Sequence, residues 1–406
     1  MKLNEYDIAA LAEGRTPPTG AFSLAVSTGF EKLSDFWRDR YLNEFVKEGG
    51  SRIKFISGRP GCGKTHFLEV LAEEGRKAGY QVVSFSAKDI WLHDFREIYT
   101  AIVRGCDLEF CLGHAARTVV RNMGYDPEAI PEDTDFMTYL SGIGEGDALN
   151  RRAIRMELKS LFLSNPRMDN NFALACSMLV GGILGHPVLE ERNRETLIRW
   201  LQGDREIKAA MLRAIGLAPI PITKYNARNM LRSLNELLTL SGSTGLLVLV
   251  DNLDIMLGQS GVESIHYTKL RREDTYESIR QLIDEIDTLH RTMFVFAFDR
   301  SFLDNENAGI KSYQALWMRI QNEIISERFN LFSDIVDLDK YERQFFTPET
   351  LVTMSEKLSA LLSDRLGSVS VLTSEGAVEL LNGARTAGIG LPRLVCLKAF
   401  GGEADV

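Results

Sequence analysis

Eight consecutive residues constrain this chain more than anything else in it. Gly58-Arg59-Pro60-Gly61-Cys62-Gly63-Lys64-Thr65 fits G-x-x-x-x-G-K-[ST] at every position. Glycines let backbone N–H groups converge on phosphate oxygens without side-chain obstruction, and a helix that follows offers its positive N-terminus. The pattern requires a strand before it and a helix after it. Arg52-Ile53-Lys54-Phe55-Ile56-Ser57 reads as the strand, residues 66–78 as the helix, and 80–86 predict a second strand after Gly79. Within such a loop Lys64 would reach the β- and γ-phosphates and the Thr65 hydroxyl would ligate Mg²⁺. The candidate nucleotide-binding residues are Gly58, Arg59, Pro60, Gly61, Cys62, Gly63, Lys64, Thr65 and His66.

A magnesium ion bridging phosphates takes hard oxygen ligands, so a second acidic group is needed. Asp251, at the end of the apolar run Leu246-Leu247-Val248-Leu249-Val250, is the candidate, against the alternative of an acidic helix cap. Thr65 and Asp251 are thus the expected metal ligands. The next residue is Asn252, where hydrolytic phosphate-loop proteins generally carry a water-polarising glutamate; an amide cannot take a proton. Asp254 is the substitute, or else a solvated acid. Asp299 and Arg300 end another apolar run, 293–298, where a polar group would lie near the ligand crevice of an open α/β sheet. Arg393, in Gly390-Leu391-Pro392-Arg393, opens the last predicted helix and either reaches the phosphates or lies on the helix surface. The candidate catalytic set is Lys64, Asp251, Asn252, Asp254, Asp299 and Arg393. Arg319 and Arg328 are candidates for an arginine supplied to a neighbouring subunit, against ordinary solvated charges.

The remaining pattern organises the chain as an N-terminal leader (1–24), a first part of an α/β core (25–87), a helical insertion (88–235), the rest of the core (236–344) and a C-terminal helical lid (345–406). Helices are expected over 30–47, from about 275 to 290, over 348–366, over 373–385 with Thr373 as N-cap, and from about Pro392. With 45% hydrophobic and 25% charged residues among 406, the chain has the composition of a globular protein, not a disordered one. A formal net charge of −9 argues against a surface that coats nucleic acid. The basic stretch Lys269-Leu270-Arg271-Arg272, expected in a loop, leaves DNA contact open. Five cysteines without C-x-x-C spacing, and isolated His114 and His186, argue against a zinc or disulfide framework. No apolar stretch approaches about 18 residues, so a cytoplasmic chain without membrane contact is expected.

Several segments, taken in order, resemble one family. They are GRTPP after the first helix, GRPGCGKTHFL, Leu197-Ile198-Arg199-Trp200-Leu201-Gln202-Gly203-Asp204, LLVLVDNLDIM, Tyr313-Gln314-Ala315-Leu316-Trp317 and the closing GLPR. Over nearly its whole length the chain resembles the ATP-binding proteins of BREX phage-exclusion systems, the BrxC/BrxD type, within the AAA+ superfamily. The resemblance implies a P-loop NTPase fold of AAA+ kind and an ATPase of antiviral defence that uses ATP and Mg²⁺. It also implies homo-oligomeric assembly and partners such as a helicase, with DNA contact left open. Asn252 departs from the usual acidic residue and puts turnover, not binding, in question. Two readings follow: an ATPase coupling hydrolysis to assembly or remodelling, and an ATP-loaded switch that recruits an effector.

Overall fold

The computed structural model describes residues 4–16, 20–258, 265–321, 329–366, 369–384 and 388–400. They divide into two compact units, one formed by 1–93, 247–286 and 292–406, the other by 94–246 and 287–291.

The first unit is built on a five-stranded sheet: β1 (Arg52–Gly58), β2 (Gln81–Ser86), β3 (Leu246–Asp251), β4 (Thr292–Asp299) and β5 (Ile335–Asp337). Their order is β2-β3-β4-β1-β5, and β1 runs parallel to both β4 and β5. The near-continuous apolar runs of β3 and β4 are buried throughout, as a parallel strand covered on both faces requires. Register sets the site: Gly58 pairs with Asp299 and Ser57 with Asp337, so the glycine loop leaves the sheet beside two strand-end acids. The three-residue edge strand β5 was not expected from the sequence, because so short a run carries no readable periodicity.

Lys54 stands out within β1. Its side chain is fully buried, yet Nζ donates to the carbonyls of Phe332 and Ser333 at 2.8 Å and lies 4.7 Å from the Tyr41 ring centroid. Burial pulls the ammonium down to about 8, and Asp334 partly restores it. Lys54 thereby ties the approach to β5 onto β1. Replacing Lys54 with methionine leaves two carbonyls without their donor and is expected to lower the unfolding free energy by about 2 kcal/mol, read by denaturant titration.

One apolar core joins the sheet to both ends of the chain. Trp37 and Phe30 from the N-terminal segment pack on Phe67 of the helix Lys64–Lys77, and Phe30 stacks on Tyr341 at 5.8 Å. Leu358, Leu391 and Leu394 of the C-terminal helices belong to the same cluster. The helix expected over 30–47 forms as Glu31–Trp37 and then widens to a π-helix over Arg38–Val46. Longer π turns keep Trp37, Leu42 and Val46, spaced four to five apart, on one buried face. The helices Pro348–Leu366, Ser374–Gly383 and Leu391–Ala399 follow, the second capped by Thr373 through the Gly376 N–H.

The second unit is helical. Asp94, Asp107, Asp135, Asp147 and Asp169 each begin a helix by accepting a backbone N–H, so part of the acidic excess is local capping. In the segment 197–204, Trp200 is buried and donates to the Ile220 carbonyl, while Arg199 pairs with Asp204. That segment serves the fold.

Candidate functional site

β1 ends at Gly58 and the helix begins at Lys64, so the intervening loop turns within five residues. It does so with φ of +81° at Gly61 and +90° at Gly63, a backbone region that side chains disfavour. The C-terminal segment clamps the turn: the Gly390 N–H donates to the Pro60 carbonyl at 2.9 Å and the Arg393 N–H to the Gly61 carbonyl at 3.2 Å. The loop borders a cavity of about 820 Å³.

On the cavity floor, Lys64 Nζ donates to the carbonyls of Gly58 (2.7 Å) and Arg59 (2.8 Å) and lies 3.6 Å from Asp299. Thr65 Oγ1 donates to Asp251 Oδ2 at 2.6 Å, joining residues 186 positions apart. The two present adjacent hard oxygens to the cavity. Among the described residues no cluster of three or more histidine, cysteine or acidic side chains could hold a metal. A protein pair completed by phosphate oxygens and water is how magnesium, rather than zinc or calcium, is commonly held.

Asn252 adopts φ +59°, ψ +37°, and its Oδ1 accepts from Ser86 Oγ at 3.0 Å. Asparagine tolerates this left-handed conformation better than glutamate, which gives a backbone reason for the residue found there. Asp254 lines the same cavity and accepts the Asp299 N–H at 2.8 Å. Burial raises its carboxyl above the usual range; that N–H pulls it back, and the Asp299 carboxylate adds to the rise. His66 faces Phe30 with ring centroids 6.0 Å apart, and desolvation holds it down to about 4, so the imidazole is neutral at physiological pH.

The cavity therefore gathers Pro60, Gly61, Gly63, Lys64, Thr65, His66, Asp251, Asn252, Asp254, Asp299 and Arg393. Arg393 packs against Gly61 and Gly14, and its buried Nε has no hydrogen-bond partner. Two loop residues point elsewhere. Cys62 is buried, and the Arg59 side chain turns away to Asp339, Glu342 and the Ala384 carbonyl. Arg300 also leaves the cavity, pairing with Asp337 and Asp339 at 3.3 Å.

Sequence reasoning missed Lys88, Ser301 and an apolar wall from the N-terminal segment and the C-terminal helices, including Leu11, Phe22, Val26, Met354 and Leu358. Those residues carry no motif; the GRTPP-type leader was the only hint that the N-terminus takes part. The basic stretch 269–272 does not lie in a loop as expected. It forms the first turn of the helix Lys269–Glu285, capped by Thr268, with Arg271 stacked 4.4 Å over Trp91. Arg319 pairs with Asp284 within the chain, its Nη2 donating at 3.0 Å; Arg328 lies outside the described residues.

Fold and site together describe an α/β protein with a glycine loop beside a polar cavity at the carboxyl end of its sheet. The family model described as BREX system ATP-binding protein BrxC/D matches residues 4–390, and the chain belongs to that family of phage-defence ATP-binding proteins. No curated protein and no solved structure matches it. No helix among the described residues is long and apolar enough to cross a membrane.

Proposed function

We propose that the chain is an AAA+-like P-loop ATPase that binds ATP with Mg²⁺ in the cavity beside the glycine loop and couples binding and hydrolysis to assembly with other defence proteins in the cytoplasm. The observation that carries this reading is the pairing of Thr65, the residue after Lys64, with Asp251 at 2.6 Å at the carboxyl end of the sheet. Backbone N–H groups of the loop and Lys64 would hold the phosphates, Thr65 and Asp251 the magnesium, and the apolar wall the base. When bound there, magnesium would neutralise developing phosphate charge. Arg393, whose buried Nε has no hydrogen-bond partner, would reach the phosphates from the C-terminal helices, which would sense the nucleotide state.

Asn252 favours a second reading, an ATP-loaded switch with little hydrolysis. Its amide is fixed on Ser86 and cannot act as a base, so a water would need Asp254, whose carboxyl already accepts the Asp299 N–H.

Phosphate release from ATP and Mg²⁺ separates the two. The ATPase reading expects native turnover well above a Lys64→Ala background, falling about 100-fold or more in Asp254→Asn. Binding without phosphate release, with activity gained in Asn252→Glu or the conformationally milder Asn252→Asp, would establish the switch instead.

A further inference from the structure

The loop residue that turns away from the cavity carries a second inference, resting on the nucleotide-binding reading above. Arg59 is bound on every side. Its backbone N–H donates to both Asp339 oxygens (3.1 and 3.2 Å), Nε donates to Asp339 (3.0 Å), Nη2 to Glu342 (3.2 Å) and Nη1 to the Ala384 carbonyl (2.7 Å). Asp339 and Glu342 are buried on the helix Leu338–Phe345, and Ala384 caps the C-terminal helix Ser374–Gly383. Asp339 also pairs with Arg300, the residue after Asp299, which itself approaches Lys64. One buried carboxylate thus joins the phosphate loop, the end of β4 and, through Arg59, the C-terminal helices.

We propose that Arg59 is a positioning residue: through Asp339, Glu342 and the Ala384 carbonyl it holds the phosphate loop in register with the end of β4 and the C-terminal helices, and so sets nucleotide affinity without touching the nucleotide. A planar fork that makes separate bonds from Nε, Nη1 and Nη2 cannot be reproduced by the single point charge of lysine. Glu342 gives the arrangement a titratable joint. Burial pushes it up to about 8, with Arg59 opposing the rise and Asp339 adding to it, and its Oε1 has no hydrogen-bond partner. The titratable and charged groups around it among the described residues are Arg59 and Cys62 from the loop, Asp339 and Arg343 on its own helix, and Arg300 after β4, and the Leu391 backbone N–H also favours its charged form. Near neutral pH the Glu342 carboxyl is mostly protonated. Above about pH 8 a second negative charge competes for the guanidinium and adds repulsion beside the phosphate loop.

The test is titration of the full chain with a fluorescent ATP analogue and Mg²⁺ between pH 7 and 9.5, where the terminal phosphate is already ionised. Wild type is expected to weaken about fivefold across that range. Glu342→Gln should hold its neutral-pH affinity throughout, and Arg59→Lys should bind about tenfold more weakly already at pH 7. Thermal unfolding without nucleotide checks that each variant is folded. If Arg59→Lys does not fold, the isosteric Glu342→Gln profile decides alone. Wild-type-like affinity and pH profile in both folded variants, or a Glu342→Gln profile that still falls with pH, overturns the proposal while leaving nucleotide binding intact. A wild-type chain that binds no better than Lys64→Ala overturns the nucleotide reading and this proposal with it.

Discussion

Lys64→Ala is expected to weaken ATP binding about 100-fold while leaving the protein folded. In the structure the ammonium bridges the Gly58 and Arg59 carbonyls at the mouth of the loop and stands 3.6 Å from Asp299, facing the cavity. Its exchange of those carbonyls for phosphate oxygens is a charge-assisted interaction worth roughly 3 kcal/mol, which converts to about two decades in Kd. The measurement is thermal unfolding with and without ATP and Mg²⁺. Wild type should gain about 2.7 kcal/mol at a hundredfold excess of ligand over Kd, and the variant only about 0.4 kcal/mol at the same concentration. A variant stabilised as much as wild type would remove Lys64 from the site.

The second large effect concerns Gly390, which looks in the sequence like a simple helix opener. Its φ of −74° is ordinary, so conformation does not demand glycine there. Space does: a Cβ would lie 2.4 Å from both Cys62 Cα and Cys62 N, backbone atoms that cannot swing aside. Gly390→Ala must push the C-terminal segment off the phosphate loop and disturb the Gly390 N–H to Pro60 carbonyl bond. We expect a loss of about 3 kcal/mol in stability, together with weaker nucleotide binding, measured by denaturant unfolding and ATP titration. Gly388→Ala, two residues away with nothing within 4 Å of its Cβ, is the matched control and should change stability by about 0.5 kcal/mol or less. Equal effects at the two positions would refute the close-approach argument.

The readable parts of this protein were those whose signals are local. Apolar runs ending in acids marked β3 and β4, and Thr373 with the polar residues after it marked a helix start. The miss at 269–272 has a local cause too. Four residues rich in charge read as a solvated loop, whereas Thr268 caps them into a helix and Trp91, from another part of the chain, covers Arg271. Arg300 read as a strand-end charge of either orientation; its partners are Asp337, at the end of a strand too short to recognise, and Asp339, on the helix that follows it.

By itself the amino-acid sequence determined the chemistry on offer: a glycine-rich turn between strand and helix, a lysine and a threonine at fixed offsets within it, and acids at the ends of two apolar strands. These are consequences of short-range spacing, which backbone geometry converts directly into position. Only the tertiary structure decided how they are used. The parallel register brought Asp299 beside Gly58, the fold carried Asp251 to Thr65 across 186 residues, and the left-handed turn at Asn252 explained an amide where an acid was expected. It also turned Arg59 from the nucleotide side to Asp339, 280 residues away, because a buried carboxylate and the guanidinium that neutralises it meet only once the sheet and its helices have packed.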